Sequence, residues 1–250
     1  MLKILGNELV KAIKSKRLII FISIMVFLSA FFGMVITQIG KNGTVTSEMF
    51  ETMTGGYFCL QVLGLSADMI LPIFATLFVC FLIIDEYNSG TLKLPILCGY
   101  SRKNIIYAKA LAVIIMMLTI MIVTWLSANV VSVLVWGAED VIAMADYTLL
   151  VYLKTFLAMV AWSIVMIAIS LFIQNSGIMI GIMTVILVVS SIAGGMFPQI
   201  AKYILVYYLK AFASLGDTVD SALGGVICLL NIIIFGGVAM LRFEKMEIQK

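Results

Sequence analysis

The sequence predicts an all-α polytopic membrane protein with six transmembrane helices, an N-terminal amphipathic interfacial helix, and both termini in the cytoplasm. Three observations carry this. Hydrophobic residues make up 63% of the chain and charged residues only 12%, with a mean hydropathy of +1.19. That is more apolar surface than one water-soluble core can hide. The apolar residues fall into runs of about 20, the length a helix needs to cross a bilayer core roughly 30 Å thick. Most of the 16 basic residues cluster beside those runs on alternate connections, the asymmetry that sets orientation.

Taken in order, residues 1–17 read as the interfacial helix: Leu2, Leu5, Leu9 and Ile13 recur at helical spacing against Lys3, Lys11, Lys14 and Lys16. The first span covers 18–37 and is expected to be a retained anchor rather than a cleaved signal, because no small-residue cleavage site follows it. A polar loop rich in Gly, Thr and Ser follows outside. The second span lies within 58–84, and Ser66 and Asp68 interrupt it near its outer end. Residues 85–109 form a cytoplasmic loop that mixes acids, bases, Gly and Pro. Within it Thr91 is expected to cap a short helix, Pro95 to sit in its first turn, Gly99 to end it and Ser101 to cap the next.

The third span covers 110–136, WGAEDVIAMADY returns the chain outside, and the fourth span covers 149–173. The short turn QNSG makes a helical hairpin with the fifth span, 177–197. Residues 198–220 are apolar and aromatic but carry Lys202 and Lys210 between Pro198 and Gly216, so they read as a broken outer helical segment. The last span is 221–241. The whole chain, 1–250, is thus one transmembrane domain. Lys3, Lys11, Lys14, Lys16, Arg17, Lys93, Arg102, Lys103, Lys109, Arg242, Lys245 and Lys250 fall on one side, and Lys41, Lys154, Lys202 and Lys210 on the other. The richer side is cytoplasmic. A seventh crossing would put the basic tail outside.

Composition also excludes function classes. The chain has no histidine, and Cys59, Cys80, Cys98 and Cys228 form no CxxC pair, which argues against resident metal, redox and histidine-based chemistry. A net charge of +3 gives no reason to expect nucleic acid. No GxxxxGK[ST] phosphate loop is present, so the chain is not expected to hydrolyse ATP itself.

Candidate functional residues concentrate in the cytoplasmic loop. Asp85 and Glu86 sit at the C-terminal end of a span, where the helix dipole disfavours negative charge by about 0.3–1 kcal/mol. They are expected to pair with Arg102, Lys103 or a basic residue of another subunit; the alternative is two solvated acids. Leu92, Leu94, Ile96 and Leu97 place an apolar helix beside a single charge, Lys93, which calls for a partner surface or for contact with the inner leaflet. Asp68 and Lys154 are ionisable groups within apparent spans, and Asn129 and Asn231 are amides within spans. They are expected to pair across helices or to line a translocation path. The methionines and the glycine pairs Gly194–Gly195 and Gly236–Gly237 read as packing.

The order of these features resembles the permease subunits of type-2 ABC exporters over nearly the whole chain. The most specific residues are Glu86, Gly90 and Thr91, followed by Ser101, Arg102 and Lys109, with Glu8 and Lys11 in the N-terminal helix similar to the family's start. The resemblance implies that 85–109 holds a coupling helix, with Asp85, Glu86, Gly90, Thr91, Leu92, Lys93, Leu94, Ser101, Arg102 and Lys103 at the interface to a separate ABC ATPase. It further implies a second membrane half, either another copy or a paralogous permease. No cofactor is expected in this chain; ATP and Mg would be bound by the ATPase. A bacterial plasma membrane and a hydrophobic or amphipathic substrate follow by the same analogy, with the compact exporters of antimicrobial peptides, bacteriocin-immunity systems and peptide toxins as the nearest likeness. The alternatives from other classes are a non-transporting immunity or interaction protein that binds a peptide, and an ion-coupled secondary transporter.

Overall fold

A computed structural model describes residues 2–41, 53–213 and 220–246. Most of the outer loop after the first span, residues 214–219 of the expected outer segment, and the tail beyond 246 lie outside the described residues. Within them the chain is helical and contains no strand. Six helices are long and apolar enough to cross a membrane. They are α2 (Arg17–Lys41), α3 (Gly55–Asn88), α5 (Arg102–Trp136), α6 (Glu139–Ser170), α7 (Ser176–Met196) and α10 (Ser221–Lys245). The shorter elements are α1 (Leu2–Lys14), α4 (Lys93–Leu97), α8 (Pro198–Ala201) and α9 (Leu205–Ala211).

Helix α3 is the most enclosed span; α2, α7 and α10 turn most of their surface outward. It carries two widened π-helical turns, Ser66–Ile70 and Cys80–Ile84. The first stands just before Pro72, whose ring and missing N–H are incompatible with an ordinary i→i−4 bond to the Asp68 carbonyl. Leu71 donates to the Ser66 carbonyl instead. The carbonyl of Pro72 then accepts from Thr76 Oγ1 at 2.9 Å and from the buried Trp162 Nε1 of α6 at 3.2 Å. Phe21 of α2 stacks on Phe74 of α3 at 4.3 Å.

Two expectations are corrected. The face of α1 that meets the protein is Ile4, Leu5, Glu8 and Ala12, while Val10 and Ile13 are open; an acid in the stripe, not the next leucine, is buried against α5. The stretch WGAEDVIAMADY is mostly helix, because α6 begins at Glu139 and only a short break at Gly137, with φ +101°, separates it from α5. Helix α5 begins at Arg102, directly after Ser101.

Beyond α7, two helices of four and seven residues are too short to cross a bilayer. Leu205, Tyr208 and Leu209 of α9 are buried in the main core. Gly224 of α10 admits this packing: a Cβ there would stand 2.5 Å from Phe212 Cζ and 2.6 Å from the Tyr208 ring.

Candidate functional site

The site is built where the cytoplasmic ends of the helices converge. The second π-turn of α3 runs directly into Asp85 and Glu86. Glu86 accepts from Lys109 Nζ of α5 at 2.7 Å and from Lys11 Nζ of α1 at 2.8 Å. Lys109 is completely buried, and its ammonium also donates to the Leu82 carbonyl at 2.7 Å and to Glu8 Oε1 at 3.3 Å. Lys11 reaches Glu8 at 3.5 Å. Two acids and two bases therefore neutralise one another and join α1, α3 and α5. Such a cluster is tolerable in a low-dielectric interior only because each charge has a partner. One oxygen, Glu8 Oε2, has no hydrogen-bond partner among the described residues.

Burial alone would lower the Lys11 pKa. The Glu86 hydrogen bond and the Glu8 charge outweigh it, so Lys11 titrates above its ordinary value.

Asp85 pairs with Arg17 of α2 at 3.1 Å and accepts from Ser176 Oγ of α7 at 3.1 Å. The Arg17 guanidinium lies 4.1 Å from the centre of the Phe81 ring. The inner end of α3 is thus tied to four other helices. The expected pairing of the two acids with Arg102 or Lys103 is overturned. Arg102 donates to the carbonyls of Glu244 at 2.8 Å and Met246 at 2.7 Å, and more distantly to Phe243. It caps the carbonyl end of α10, where a cation also suits the dipole. Lys103 pairs with Glu244 at 3.3 Å.

Between these anchors α4 projects as a short ridge. Gly90 and Gly99 adopt φ of +70° and +83° on either side of it, a conformation that favours glycine. Leu92 is buried and Ile96 packs on the core, but Leu94 and Leu97 are exposed, Leu97 at 80%. Thr91 does not cap α4; its hydroxyl bonds Ser89 Oγ at 2.9 Å and the Glu86 carbonyl at 3.4 Å. Ser101 does cap α5, accepting from the Asn104 N–H at 3.4 Å. Lys93 is half-buried. Between α4 and α1 lies a cleft of about 400 Å³ lined by Leu94, Pro95, Cys98, Lys11 and Lys14 among others.

The residues placed within spans do not come together. Asp68, in the first π-turn, pairs with Lys210 of α9 at 3.3 Å, not with Lys154. Lys154 donates to Ser221 Oγ at 3.0 Å. Asn129 and Asn231 each donate to a carbonyl one turn back on their own helix, Trp125 and Ile227. Sequence reasoning did not assign Lys109, Glu8, Lys11 and Arg17 to the acids. The available signal was a lysine inside the apolar stripe of α5 facing an acid inside the apolar stripe of α1, since buried charges need partners.

A family model described as "ABC-2 family transporter protein" matches residues 4–191. Neither a curated protein nor a solved structure matches the chain. The matched region covers well over half of the sequence, and the chain belongs to that family. It is a multi-pass membrane component of an ABC transporter, a permease rather than the catalytic subunit, and the family works with an ABC ATPase.

Proposed function

We propose that this member of the ABC-2 family exports a hydrophobic or amphipathic substrate, of the peptide or antimicrobial class, across a bacterial plasma membrane. A separate ATPase subunit binds ATP and Mg and docks on α4 and the adjoining face of α1. A second membrane half, a copy of this chain or a paralogue, completes the path. The observation that carries the reading is the ridge at Leu94 and Leu97. Two large apolar side chains stand open on a five-residue helix whose base is fixed to α3 by the buried Leu92 and the Leu92 N–H to Glu86 carbonyl bond at 3.2 Å.

An exposed apolar ridge on a rigid base suits a partner surface. A push on α4 reaches the Leu92–Glu86 backbone bond, and through Glu86 and Lys109 it reaches α3 and α5. The substrate class rests on the resemblance to compact peptide exporters stated above.

Replacing Leu94 and Leu97 together by Asp is the test. The doubly substituted chain is expected to keep its melting temperature in mild detergent, because neither side chain is buried, and to lose co-purification with its ATPase. Accumulation of a candidate amphipathic peptide in inverted vesicles should require ATP and fail with the variant. Retained co-purification would refute the docking site. Uptake independent of ATP would refute export.

A further inference from the structure

We infer that Lys11 is a latch on α1: it holds that helix to α3 through Glu86 and releases it by passing to Glu8 on its own helix. The four charges of the cluster share their bonds unequally. Glu86 takes the two short ones, Lys11 Nζ on Oε1 at 2.8 Å and Lys109 Nζ on Oε2 at 2.7 Å. Glu8 takes the two long ones, 3.3 Å from Lys109 and 3.5 Å from Lys11, both on Oε1. Its Oε2 is buried with no hydrogen-bond partner among the described residues. A buried carboxylate oxygen without a donor is costly, so Glu8 is an acceptor held in reserve.

Lys109 is the fixed link of the cluster. It is completely buried, and its three donors are occupied by Glu86, Glu8 and the Leu82 carbonyl. Lys11 differs on both counts. Its side chain is 46% exposed and its ammonium meets only the two carboxylates among the described residues. It also lines the cleft of about 400 Å³ between α1 and α4, which leaves its stem room to move. Glu8 and Lys11 stand three residues apart on one helix, where side chains of opposite charge meet. The exchange therefore needs a change of rotamer in Lys11 and no rearrangement of the backbone of α1.

The joint of α1 is built for such a release. Only Ser15 and Lys16 connect it to α2, and Lys16 is the one non-glycine residue among the described ones with a left-handed backbone, φ +59°. A strained residue of this kind persists where its surroundings hold it, and such residues collect at switch regions. With Lys11 on Glu86, α1 is held against α3 and the joint stays closed. With Lys11 on Glu8, α1 can turn about Lys16, while Lys109 keeps α3 and α5 together. The trigger is the backbone of Glu86, whose carbonyl accepts from the Leu92 N–H at 3.2 Å and the Thr91 hydroxyl at 3.4 Å. A partner seated on α4 thus acts on the acid that holds the latch. That trigger rests on the docking site proposed above; the latch itself rests on this chain alone.

The test is the distance from α1 to α5, read by electron paramagnetic resonance between spin labels on Ile13→Cys and Asn104→Cys, both exposed positions, in the full-length chain carrying Cys98→Ser. In mild detergent this parent chain should show one narrow distance. Lys11→Gln should add a second population, roughly fivefold more of it than Lys11→Arg, the worth of about 1 kcal/mol for a half-exposed ion pair. An unchanged distribution in Lys11→Gln would overturn the latch. With the ATPase bound and ATP present, the second population should appear in the parent chain and shrink in Glu8→Gln, which lacks the carboxylate that receives Lys11. An ATPase that binds without producing that population, or a Glu8→Gln chain that moves as the parent does, would overturn the hand-over and leave the docking site standing. An ATPase that does not bind would remove the docking site, and the isolated chain would still decide the latch.

Discussion

The two ends of the helix bundle are held shut by different forces. At the cytoplasmic end the ties are charges: Lys109 is fully buried between Glu8 and Glu86, and the half-buried Arg102 closes the last carbonyls of α10. At the outer end the described ties are shape and hydroxyl groups. Gly55 turns with φ +56° against Asp140, and Gly56 lets α3 approach so closely that a Cβ would stand 2.7 Å from Met144. Tyr152 donates to the Cys59 carbonyl at 3.2 Å and Ser132 to the Gly55 carbonyl at 2.6 Å. The one ion pair there among the described residues, Lys210–Asp68, is substantially exposed. Buried charge networks have discrete, stiff geometries, while surface contacts can be exchanged for water at little cost. Under the proposed export function, rigidity stands where force enters and separability where substrate leaves.

The sharpest way to break this contrast is at its stiffest point. Lys109→Met keeps the apolar stem of the side chain but leaves two buried carboxylates facing each other. Removing one partner of such a cluster costs about 3–5 kcal/mol, so the variant should melt far below wild type in detergent or fail to accumulate. Adding Glu8→Gln and Glu86→Gln removes the stranded charge, and the triple variant should recover most of the loss. If Lys109→Met alone costs under about 1 kcal/mol, the cluster is not the anchor described here.

The outer counterpart is steric. Gly224→Val inserts atoms where Tyr208 and Phe212 already stand, and overpacking of this kind costs about 1–3 kcal/mol. Helix α9 has only seven residues, so the strain should be relieved by its displacement. Protease added from the outer side should cut near 205–213 faster than in wild type, with the cytoplasmic connections unaffected. Equal protection would mean that the outer segment is as firmly built as the inner cluster.

How far this difference is legible in the sequence depends on what sets each end. Span number and orientation follow from length, hydropathy and the placement of lysine and arginine, and they need no knowledge of which helix touches which. The end of α4 and the start of α5 are readable from Gly99 and Ser101, because their signals are local. The ion cluster was not readable as a cluster. Glu8, Glu86 and Lys109 are separated by as many as 101 residues, and the bases expected to meet Glu86, Arg102 and Lys103, turn to α10 instead. Charge count says that buried acids need bases; only the packing of α1 against α5 says which. The same limit explains Asp68. Its partner was sought on another span at Lys154, but the outer segment folds back and brings Lys210 closer.

The smallest effect is expected at that last pair, and it separates backbone from charge. Asp68 is positioned by the π-turn that Pro72 imposes, so its place does not depend on Lys210. With the Lys210 side chain 60% and the Asp68 side chain 35% exposed, the pair contributes about 0.2–1 kcal/mol at most. Lys210→Gln should therefore shift the melting temperature barely beyond error, and Asp68→Asn in the same background should add nothing further. High salt should reproduce the shift in wild type and leave it unchanged in the double variant. Lys109 should be insensitive to the same salt, because ions screen only what they can approach. A salt-dependent melting temperature that persists without Asp68 and Lys210 would place the screened charges at the cytoplasmic end, and the division of labour between the two ends would have to be drawn differently.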